Sequence, residues 1–495
     1  MKEHLHTAHD IAITVWALLV AYFVVRFVIG TVRFIRAPRA AKKNYWLRFR
    51  VWARWRKHAL ALGLVYIRRQ SMRITGHKSV GSQMVEGFLG AVVPVALVAS
   101  VLQSMGIGAF DDMIGKQKRK AKYPRIRTWA DPYGVVVRMR TVDGIGREEV
   151  ERHASHLADV WQVPKVQVHA DKKPGFVRIR AIKNDPIAVP LTAADLPAAV
   201  YAEPNPWRPY LGRDEWGVDR WLDLVGITGM TIGGLPRYGK TGLVRSLLKQ
   251  WGGFPEVQFV FLDGKGSGDQ VGADYAEWVD RAWMASGDDL KRAEEIFAKL
   301  NDHMIERGRV IRPCLGVKNG WHVGPSRGWP LIIVVVDECH SFFDEARATS
   351  QEEKKRIQRI KSLAADLPRK AGSVMMLSIF MTQKQTGDAI PTAIRDNCVV
   401  GASFAVKTRD AAVAGLGEGI REWPAMCPTT LRERPTYVGA CTAALPDGVS
   451  PFVRLRVPYV DEADSELFAE QVAHLRADPD ELLAAMTVRR EMAPV

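Results

Sequence analysis

Cysteine is scarce in this chain: its five residues in 495 form no Cys-x-x-Cys pair and no spacing typical of metal ligands. A disulfide framework is therefore excluded as the basis of the fold, and a zinc site is not expected. Internal repeats and long low-complexity tracts are absent as well, which excludes a repeat architecture. We expect reduced, buried thiols in a cytosolic domain at Cys314, Cys339, Cys398, Cys427 and Cys441.

Acidic residues are almost missing from the first quarter of the chain. Residues 1–128 hold 5 Asp and Glu against 23 Lys and Arg, whereas the remainder holds 49 acidic and 47 basic residues. The net charge of +16 therefore arises in the N-terminal region. Because that region also carries hydrophobic runs, the excess indicates a membrane or its anionic surface, and net charge gives no argument for DNA binding.

Two apolar runs lie in this basic region. The run 11–32 has 22 residues, which is enough to span a bilayer, and we predict a transmembrane helix there. The run 87–110 is a second candidate span. If both runs spanned, the basic segment between them would lie across the membrane from the C-terminal region, against the positive-inside rule. Either the pair breaks that rule, or one run is re-entrant or interfacial.

The segment between the runs, 33–78, holds 14 basic residues and no acidic one. Aromatic side chains interleave with the arginines between Tyr45 and Lys57. This composition is typical of an interfacial segment on an anionic leaflet. Single-stranded nucleic acid is the alternative, because aromatic rings stack on bases, but the neighbouring apolar run favours lipid. We assign residues 1–124 to a membrane-anchoring region.

A phosphate-binding loop motif, Gly-x-x-x-x-Gly-Lys-Thr, occupies residues 234–241. It follows an apolar run, 224–232, that predicts a strand, and it opens a run with helical spacing. Backbone N–H groups at the helix N-terminus would hold phosphates, Lys240 would reach the β- and γ-phosphates, and Thr241 would hold Mg²⁺. The predicted nucleotide-binding residues are Gly234, Leu235, Pro236, Arg237, Tyr238, Gly239, Lys240, Thr241 and Gly242.

A second run supports ATP hydrolysis. Residues 331–336 are continuously apolar and end in Asp337 and Glu338, as in a buried parallel strand with carboxylates at its ligand-binding edge. Asp337 would bind Mg²⁺ through water, and Glu338 would polarise the attacking water. A further strand, 373–380, is followed by the polar pair Thr382 and Gln383, which would sense the γ-phosphate or position water, unless it is only a strand-terminal turn. The catalytic candidates are Lys240, Asp337, Glu338 and Gln383, with ATP and Mg²⁺ as cofactors.

The remaining patterns divide the chain into regions. Residues 125–190 alternate strand and helix patterns and predict a small α/β module. Residues 191–215 are rich in proline and alanine and predict a linker. Residues 216–460 form the predicted motor core, and residues 461–495 a charged tail with an amphipathic helix near 463–476.

In the order and spacing of its motifs, the chain resembles the FtsK/SpoIIIE family of DNA translocases, and within it the plasmid transfer proteins of mycelial actinomycetes, the TraB/TraSA type. The resemblance covers roughly residues 130–440 and is more specific than the phosphate-binding loop alone. Besides that loop, the segments that carry it are Leu211–Asp214, Leu262–Lys265, Gly308–Arg312, Val336–Glu338, Arg369–Gly372, Met381–Lys384 and Ile390–Asn397.

The resemblance implies a RecA-like motor assembled as a homo-hexameric ring around double-stranded DNA, with no small-molecule substrate besides ATP. It implies that an arginine of the neighbouring subunit completes each ATP site, and the candidates are Arg369, Arg395 and Arg409. DNA would be held through its backbone in the pore. The family often ends in a winged-helix module that reads DNA sequence, but the residues after Ala443 are too few and too acidic for a complete one.

The sequence thus predicts an α/β protein with a RecA-like P-loop motor core, a small α/β module before it and an N-terminal membrane-anchoring region. The favoured function is a membrane-anchored, ATP-dependent double-stranded DNA translocase for conjugative plasmid transfer, with its motor on the cytoplasmic side of the cell membrane. One alternative is a chromosome-segregation or protein-export motor of the same superfamily, although the single motor core argues against the secretion type. The other is a nucleotide-binding membrane scaffold with little hydrolysis, against which Lys240, Asp337 and Glu338 argue.

Overall fold

The computed structural model forms two compact units, Met1–Asp185 and Pro186–Val495. Each unit has its own hydrophobic core among the residues that the structure describes. Those residues are 20–22, 24–25, 28–29, 31–32, 34, 39–61, 66–68, 120–142, 144–171, 173–387, 389–446 and 450–491.

A four-stranded antiparallel sheet is the centre of the first unit. The strands of this unit are β1 Tyr66–Arg68, β2 Lys120–Lys122, β3 Ile126–Asp131, β4 Gly134–Arg140, β5 Lys165–Ala170 and β6 Phe176–Ile182. Its helices are α1 Arg39–Lys42, α2 Tyr45–Ala61, α3 Arg147–Arg152 and α4 Ala154–Trp161. The sheet has the order β3-β4-β6-β5, and β1 pairs separately with β2. The turn between β3 and β4 forms because the Asp131 carboxylate accepts hydrogen bonds from the N–H groups of Tyr133 and Gly134.

Helix α2 packs on this sheet and completes the core of the unit. Its buried residues recur every four positions along one face: Leu47, Val51, Trp55 and Ala59. Asn44 and Arg48 fix its start, since their side chains donate to the carbonyl groups of Asp131 (2.8 Å) and Thr128 (3.0 Å). Part of the basic segment 33–78 is therefore a structural helix of the small α/β module, which starts well before residue 125.

The second unit is built on a ten-stranded sheet of order β11-β10-β12-β13-β9-β14-β15-β16-β7-β8. Its strands are β7 Tyr210–Asp214, β8 Asp219–Trp221, β9 Gly229–Gly233, β10 Val257–Asp263, β11 Ala282–Ser286, β12 Leu331–Asp337, β13 Met376–Thr382, β14 Val400–Ser403, β15 Ala440–Ala444 and β16 Val453–Arg456. Its helices are α5 Ala199–Ala202, α6 Lys240–Trp251, α7 Leu290–Leu315, α8 His340–Phe343, α9 Gln351–Lys370, α10 Thr392–Arg395, α11 Arg409–Leu416, α12 Glu462–Val472 and α13 Pro479–Glu491.

The continuous apolar run of β12 is explained by burial on both faces of the sheet. Leu331, Ile333 and Val335 belong to a core that includes residues of α6. The alternate residues, Ile332, Val334 and Val336, belong to a second core with residues of α7 and α9. One half of the sheet, made of β11, β10, β12, β13, β9 and β14 in this order, has only parallel strands. Helices therefore cover both sides of this half.

The strand order brings the predicted motifs to one edge. Strand β13 lies between β9, which leads into the phosphate-binding loop, and β12, which ends in Asp337. Because the three strands are parallel, their carboxyl ends meet at the same edge of the sheet, where ligands bind in such folds. This arrangement matches the P-loop core that the sequence predicts.

The boundaries of that core differ from the predicted ones at both ends. Strand β7 falls within the predicted linker 191–215, but it pairs with β16 and belongs to the sheet. The charged tail 461–495 forms two helices that contact the core. Ser465 on α12 accepts a hydrogen bond from the Trp278 indole (3.2 Å), and Asp480 on α13 pairs with Lys299 on α7 (3.1 Å).

The predicted membrane spans are largely outside the described residues. The run 11–32 is described only in part, and the run 87–110 not at all. Within the described part of the chain, no helix combines the length and the hydropathy that a bilayer crossing requires.

Candidate nucleotide-binding and hydrolysis site

The phosphate-binding loop, residues 234–241, joins the end of β9 to the start of α6. Gly234 and Gly239 have φ angles of +140° and +107°, which residues with a side chain rarely adopt. A Cβ atom at Gly234 would lie 2.7 Å from the Cβ of Phe404, and one at Gly239 would lie 2.9 Å from the Cα of Gly439. These two glycines let the loop turn closely onto the N-terminus of α6, whose first N–H groups are available to an anion.

Lys240 begins α6 and is only 5% exposed. Its Nζ donates to the carbonyl oxygens of Gly234 (2.8 Å) and Leu235 (2.9 Å). Burial, with the nearby charge of Lys265, lowers the pKa of Lys240 to about 8. A buried ammonium hydrogen-bonded to neutral carbonyl groups is stabilised by an added anion, so the loop favours a phosphate beside this side chain.

Asp337 ends β12 and is fully buried. Its Oδ2 accepts a hydrogen bond from Lys265 Nζ (2.9 Å), and its Oδ1 accepts one from the N–H of Glu338 (2.7 Å). Burial raises the pKa of the Asp337 carboxyl, and the Lys265 ammonium opposes this rise. Lys265 also donates to Asp274 (2.8 Å), so one cation joins two carboxylates at this edge of the sheet.

Glu338 has a φ angle of +48°, a left-handed conformation that is uncommon for residues with a side chain. Its Oε1 contacts His340 Nδ1 (2.6 Å) and accepts from the N–H of Gln383 (3.2 Å) and the Thr382 hydroxyl (3.4 Å). Its Oε2 is buried and has no hydrogen-bond partner among the described residues. An unpaired buried carboxylate oxygen costs free energy, and such groups are typical of functional sites.

The residues at this edge fit a magnesium–nucleotide complex. Thr241 and Asp337 offer a hydroxyl and a carboxylate oxygen, the hard ligands that Mg²⁺ prefers. Asp337 already pairs with a cation, the Lys265 ammonium, so its environment accepts positive charge. The unpaired Oε2 of Glu338 supplies an acceptor for a water molecule next to them.

The other predicted site residues have different contacts. Gln383 approaches Glu338 through its backbone N–H, and its side chain is half-buried. Arg395 donates to the carbonyl of Ala414 (2.8 Å), Arg369 pairs with Asp366, and Arg409 is exposed at the start of α11. In the part of the chain that the structure describes, none of these arginines pairs with Asp337 or Glu338. Each stays a candidate for action on a neighbouring subunit.

Two residues with contacts in the site, Lys265 and His340, were not among the predicted site residues, whereas Thr382 belongs to the predicted polar pair. Lys265 follows β10, which lies next to β12, so its place beside Asp337 depends on the strand order. Thr382 ends β13, which also lies next to β12, so its place beside Glu338 depends on the strand order too. A usable signal existed, since polar residues that follow buried parallel strands collect at one edge of a sheet.

His340 is expected to position Glu338. An ionised carboxylate only accepts hydrogen bonds, so the Nδ1 atom carries the hydrogen in the contact with Oε1. We expect His340→Phe to lower the kcat of ATP hydrolysis about 10-fold to 100-fold with little change in KM, because a carboxylate that turns away no longer orients water.

His340→Asn is the conservative variant of this experiment, since its amide N–H can replace Nδ1, and we expect it to restore part of the loss. The matched control is His322→Phe, which removes an exposed histidine. Equal kcat values for His340→Phe and the unchanged chain would contradict the positioning role.

No protein-family model and no curated protein matches the chain. Among solved structures, the pCW3 conjugation coupling protein TcpA, in a monomer form with ATPγS, is 17% identical with a TM-score of 0.50, and the match covers 72% of this chain and 94% of that chain. The cytoplasmic domain of the type VII secretion ATPase EccC from Thermomonospora curvata is 18% identical with a TM-score of 0.43, covering 60% of this chain and 34% of that chain.

The match to TcpA concerns the fold, because the sequence identity is low, and the lower TM-score of EccC adds no argument. The resemblance inferred from the motifs is thereby confirmed at the level of the fold. The chain has the fold of a P-loop ATPase, similar to that of the pCW3 conjugation coupling protein TcpA.

Proposed function

We propose that the chain is an ATPase that uses hydrolysis to move double-stranded DNA in conjugative plasmid transfer. The observation that carries the enzymatic part is the meeting of Lys240, Asp337 and Glu338 at the edge of three adjacent parallel strands. One oxygen of Glu338 is held there and the other is unpaired. The DNA-transfer part is supported by the motif series and by the similarity of the fold to that of a conjugation coupling protein.

In this mechanism the side chains of the site act from the positions that they occupy in the structure. Lys240 exchanges its bonds to the carbonyls of Gly234 and Leu235 for phosphate oxygens, and its ammonium balances the charge that develops on the transferred group. Glu338 accepts a hydrogen bond from the attacking water through Oε2, while His340 holds Oε1. Mg²⁺, when held by Thr241 and Asp337, supplies neutralising charge on the β- and γ-phosphates.

The ring is a further part of the proposal. An arginine from a neighbouring subunit would complete each site. We favour Arg409, because it is exposed at the start of α11, whereas Arg395 and Arg369 have partners within the chain. Homo-hexamers around duplex DNA would hold the phosphate backbone without reading sequence.

The location is also proposed. The excess of basic residues in 1–128 and the apolar run 11–32 support attachment to the cell membrane. The motor would lie on the cytoplasmic side, since it needs ATP.

The decisive experiment measures ATP hydrolysis by the full chain in detergent, without DNA, with duplex DNA and with single-stranded DNA. We expect duplex DNA to stimulate hydrolysis several-fold, and the stimulation to weaken with added salt because phosphate contacts release counterions. The full chain is needed, since a fragment beginning near residue 125 would lack α2 and leave the first core incomplete.

The other outcomes separate the alternatives. Hydrolysis that no DNA changes would contradict a DNA motor and favour a protein-export motor. An absence of hydrolysis at concentrations where rings assemble would favour a nucleotide-binding scaffold. Duplex and single-stranded DNA are compared at equal nucleotide concentration, so that charge alone does not decide the result.

A further inference from the structure

Three large aromatic side chains line the outer face of helix α2. Trp46 is 72% exposed, Phe49 is 54% exposed and Trp52 is 53% exposed. They recur every three residues, so they form one row on the exposed side of the helix, whereas Leu47, Val51 and Trp55 are buried on the side that meets the sheet. We call the residues Trp46, Phe49 and Trp52 the aromatic row. Such a large exposed apolar surface is typical of an interaction site.

The helix that bears the aromatic row is firmly fixed. Trp55 donates through its indole N–H to the carbonyl of Pro124 (3.1 Å), and Arg50 donates to the carbonyl of Trp161 (2.7 Å). With the bonds of Asn44 and Arg48, these contacts join both halves of α2 to the sheet and to α4. The row therefore faces outward because the opposite face is committed to the core.

Apolar exposure continues from the row toward the N-terminus. The rings of Phe34 and Tyr45 contact each other at 5.0 Å, which brings residue 34 to the start of α2. The described apolar residues before it are 40% to 56% exposed: Val20, Tyr22, Val24, Val25, Val28, Ile29, Val32 and Phe34. The charges near the row are positive, since residues 33–78 contain no acidic residue, and both Lys43, just before α2, and Arg54, on α2, are exposed.

We propose that the aromatic row lies in the headgroup region of an anionic lipid bilayer and holds the first unit against the membrane surface. Tryptophan and phenylalanine next to lysine and arginine are the side chains that favour this depth. The proposal deepens the membrane location proposed above by naming the surface that meets the lipid. It does not depend on ATP hydrolysis, so an experiment can contradict the lipid contact without contradicting the proposed ATPase activity, and the reverse.

The ring geometry favours lipid over nucleic acid. The rings of Trp46 and Phe49 stack on each other, with centroids 5.7 Å apart and planes inclined by 24°. Phe49 and Trp52 follow at 6.4 Å. Base stacking needs free ring faces, and the stacked Trp46–Phe49 pair leaves fewer of them than separate rings would. The large exposed hydrophobic residues described between 20 and 32 are aliphatic except for Tyr22, and aliphatic side chains offer bases nothing to stack on.

The test uses the full chain reconstituted in anionic vesicles that contain phospholipid brominated in the upper acyl chain, which quenches tryptophan emission at that depth. We compare the unchanged chain with Trp46→Phe/Trp52→Phe, which keeps the apolar surface but removes two emitters. The lipid-quenched part of the emission is expected to fall at least roughly twofold, because Trp16 in the run 11–32 would be the other tryptophan at bilayer depth. The matched control Trp129→Phe removes an exposed tryptophan of the same unit and should leave the quenched part unchanged.

Two results would overturn the proposal. An equal quenched part in Trp46→Phe/Trp52→Phe and the unchanged chain, with both proteins floating with the vesicles, would show that the aromatic row lies away from the lipid. Quenching of these two tryptophans by a single-stranded oligonucleotide in place of brominated lipid would assign the row to nucleic acid. Hydrolysis of ATP measured on the same samples reports the motor independently.

Discussion

A Lys240→Ala variant is expected to hydrolyse ATP at least about 100-fold more slowly than the unchanged chain, the usual loss when a preorganised group that stabilises transition-state charge is removed. The reason is the place of the Nζ atom. It lies buried at the N-terminus of α6, 2.8 Å from the carbonyl of Gly234, where it can turn to phosphate oxygens without crossing solvent. Steady-state release of phosphate by the full chain, with and without duplex DNA, measures the loss.

The control for this variant lies on the same helix. Lys249→Ala removes a lysine in the last turn of α6 that is 3.7 Å from Asp464, and we expect nearly unchanged hydrolysis. Binding of a fluorescent ATP analogue should also weaken in Lys240→Ala and stay constant in Lys249→Ala. Wild-type hydrolysis by Lys240→Ala would refute the assignment of the phosphate-binding loop.

The Glu338→Gln variant is expected to separate binding from chemistry. Its kcat should fall by about 100-fold to 10,000-fold, the usual contribution of a general base, while ATP still binds. The amide is nearly isosteric, so the left-handed backbone and the contact with His340 can persist, but the group that replaces Oε2 no longer accepts a proton from water. Single-turnover hydrolysis and equilibrium binding of ATP measure the two effects on one sample.

The matched control is Glu345→Gln, a nearby glutamate that pairs with Lys361 at 2.7 Å and lies outside the site. We expect its kcat to stay within experimental error of the unchanged chain. If Glu338→Gln hydrolysed ATP normally, the unpaired Oε2 would have no catalytic meaning, and the acceptor for the water would have to be sought elsewhere.

The candidate nucleotide-binding site was the part of the chain most open to prediction from sequence. The phosphate-binding loop is contiguous, and its glycines are required by local backbone geometry at Gly234 and Gly239. The apolar run before Asp337 predicts a strand buried on both faces, and the structure has that strand with its side chains divided between two cores. The strand expected at 331–336 lies where the structure has β12, whereas β9 begins five residues later than the expected run 224–232 and β13 begins three residues later than the expected run 373–380.

The structure of the N-terminal region was less predictable, because its aromatic residues can either face lipid or pack in a protein core. Trp52 and Trp55 are alike in sequence, yet Trp52 is 53% exposed and Trp55 is 2% exposed. Because a helix turns 100° per residue, two residues three positions apart point in different directions. Trp55 therefore lies on the face that meets the sheet, whereas Trp52 lies at the edge of that face. The sequence pattern favoured lipid for the whole aromatic segment, whereas one face of it belongs to the core of the small α/β module.

Three features could be predicted from the sequence because their chemistry is local: the phosphate-binding loop, the buried strand that ends in Asp337 and Glu338, and the charge imbalance of residues 1–128. The distant groups that complete the site could not be predicted without the fold. Lys265 and Thr382 lie 72 and 44 residues away from Asp337 and Glu338, and they reach them because β10 and β13 flank β12. Strand order follows from the packing of helices on both faces of the sheet, a balance over the whole core that no short segment encodes.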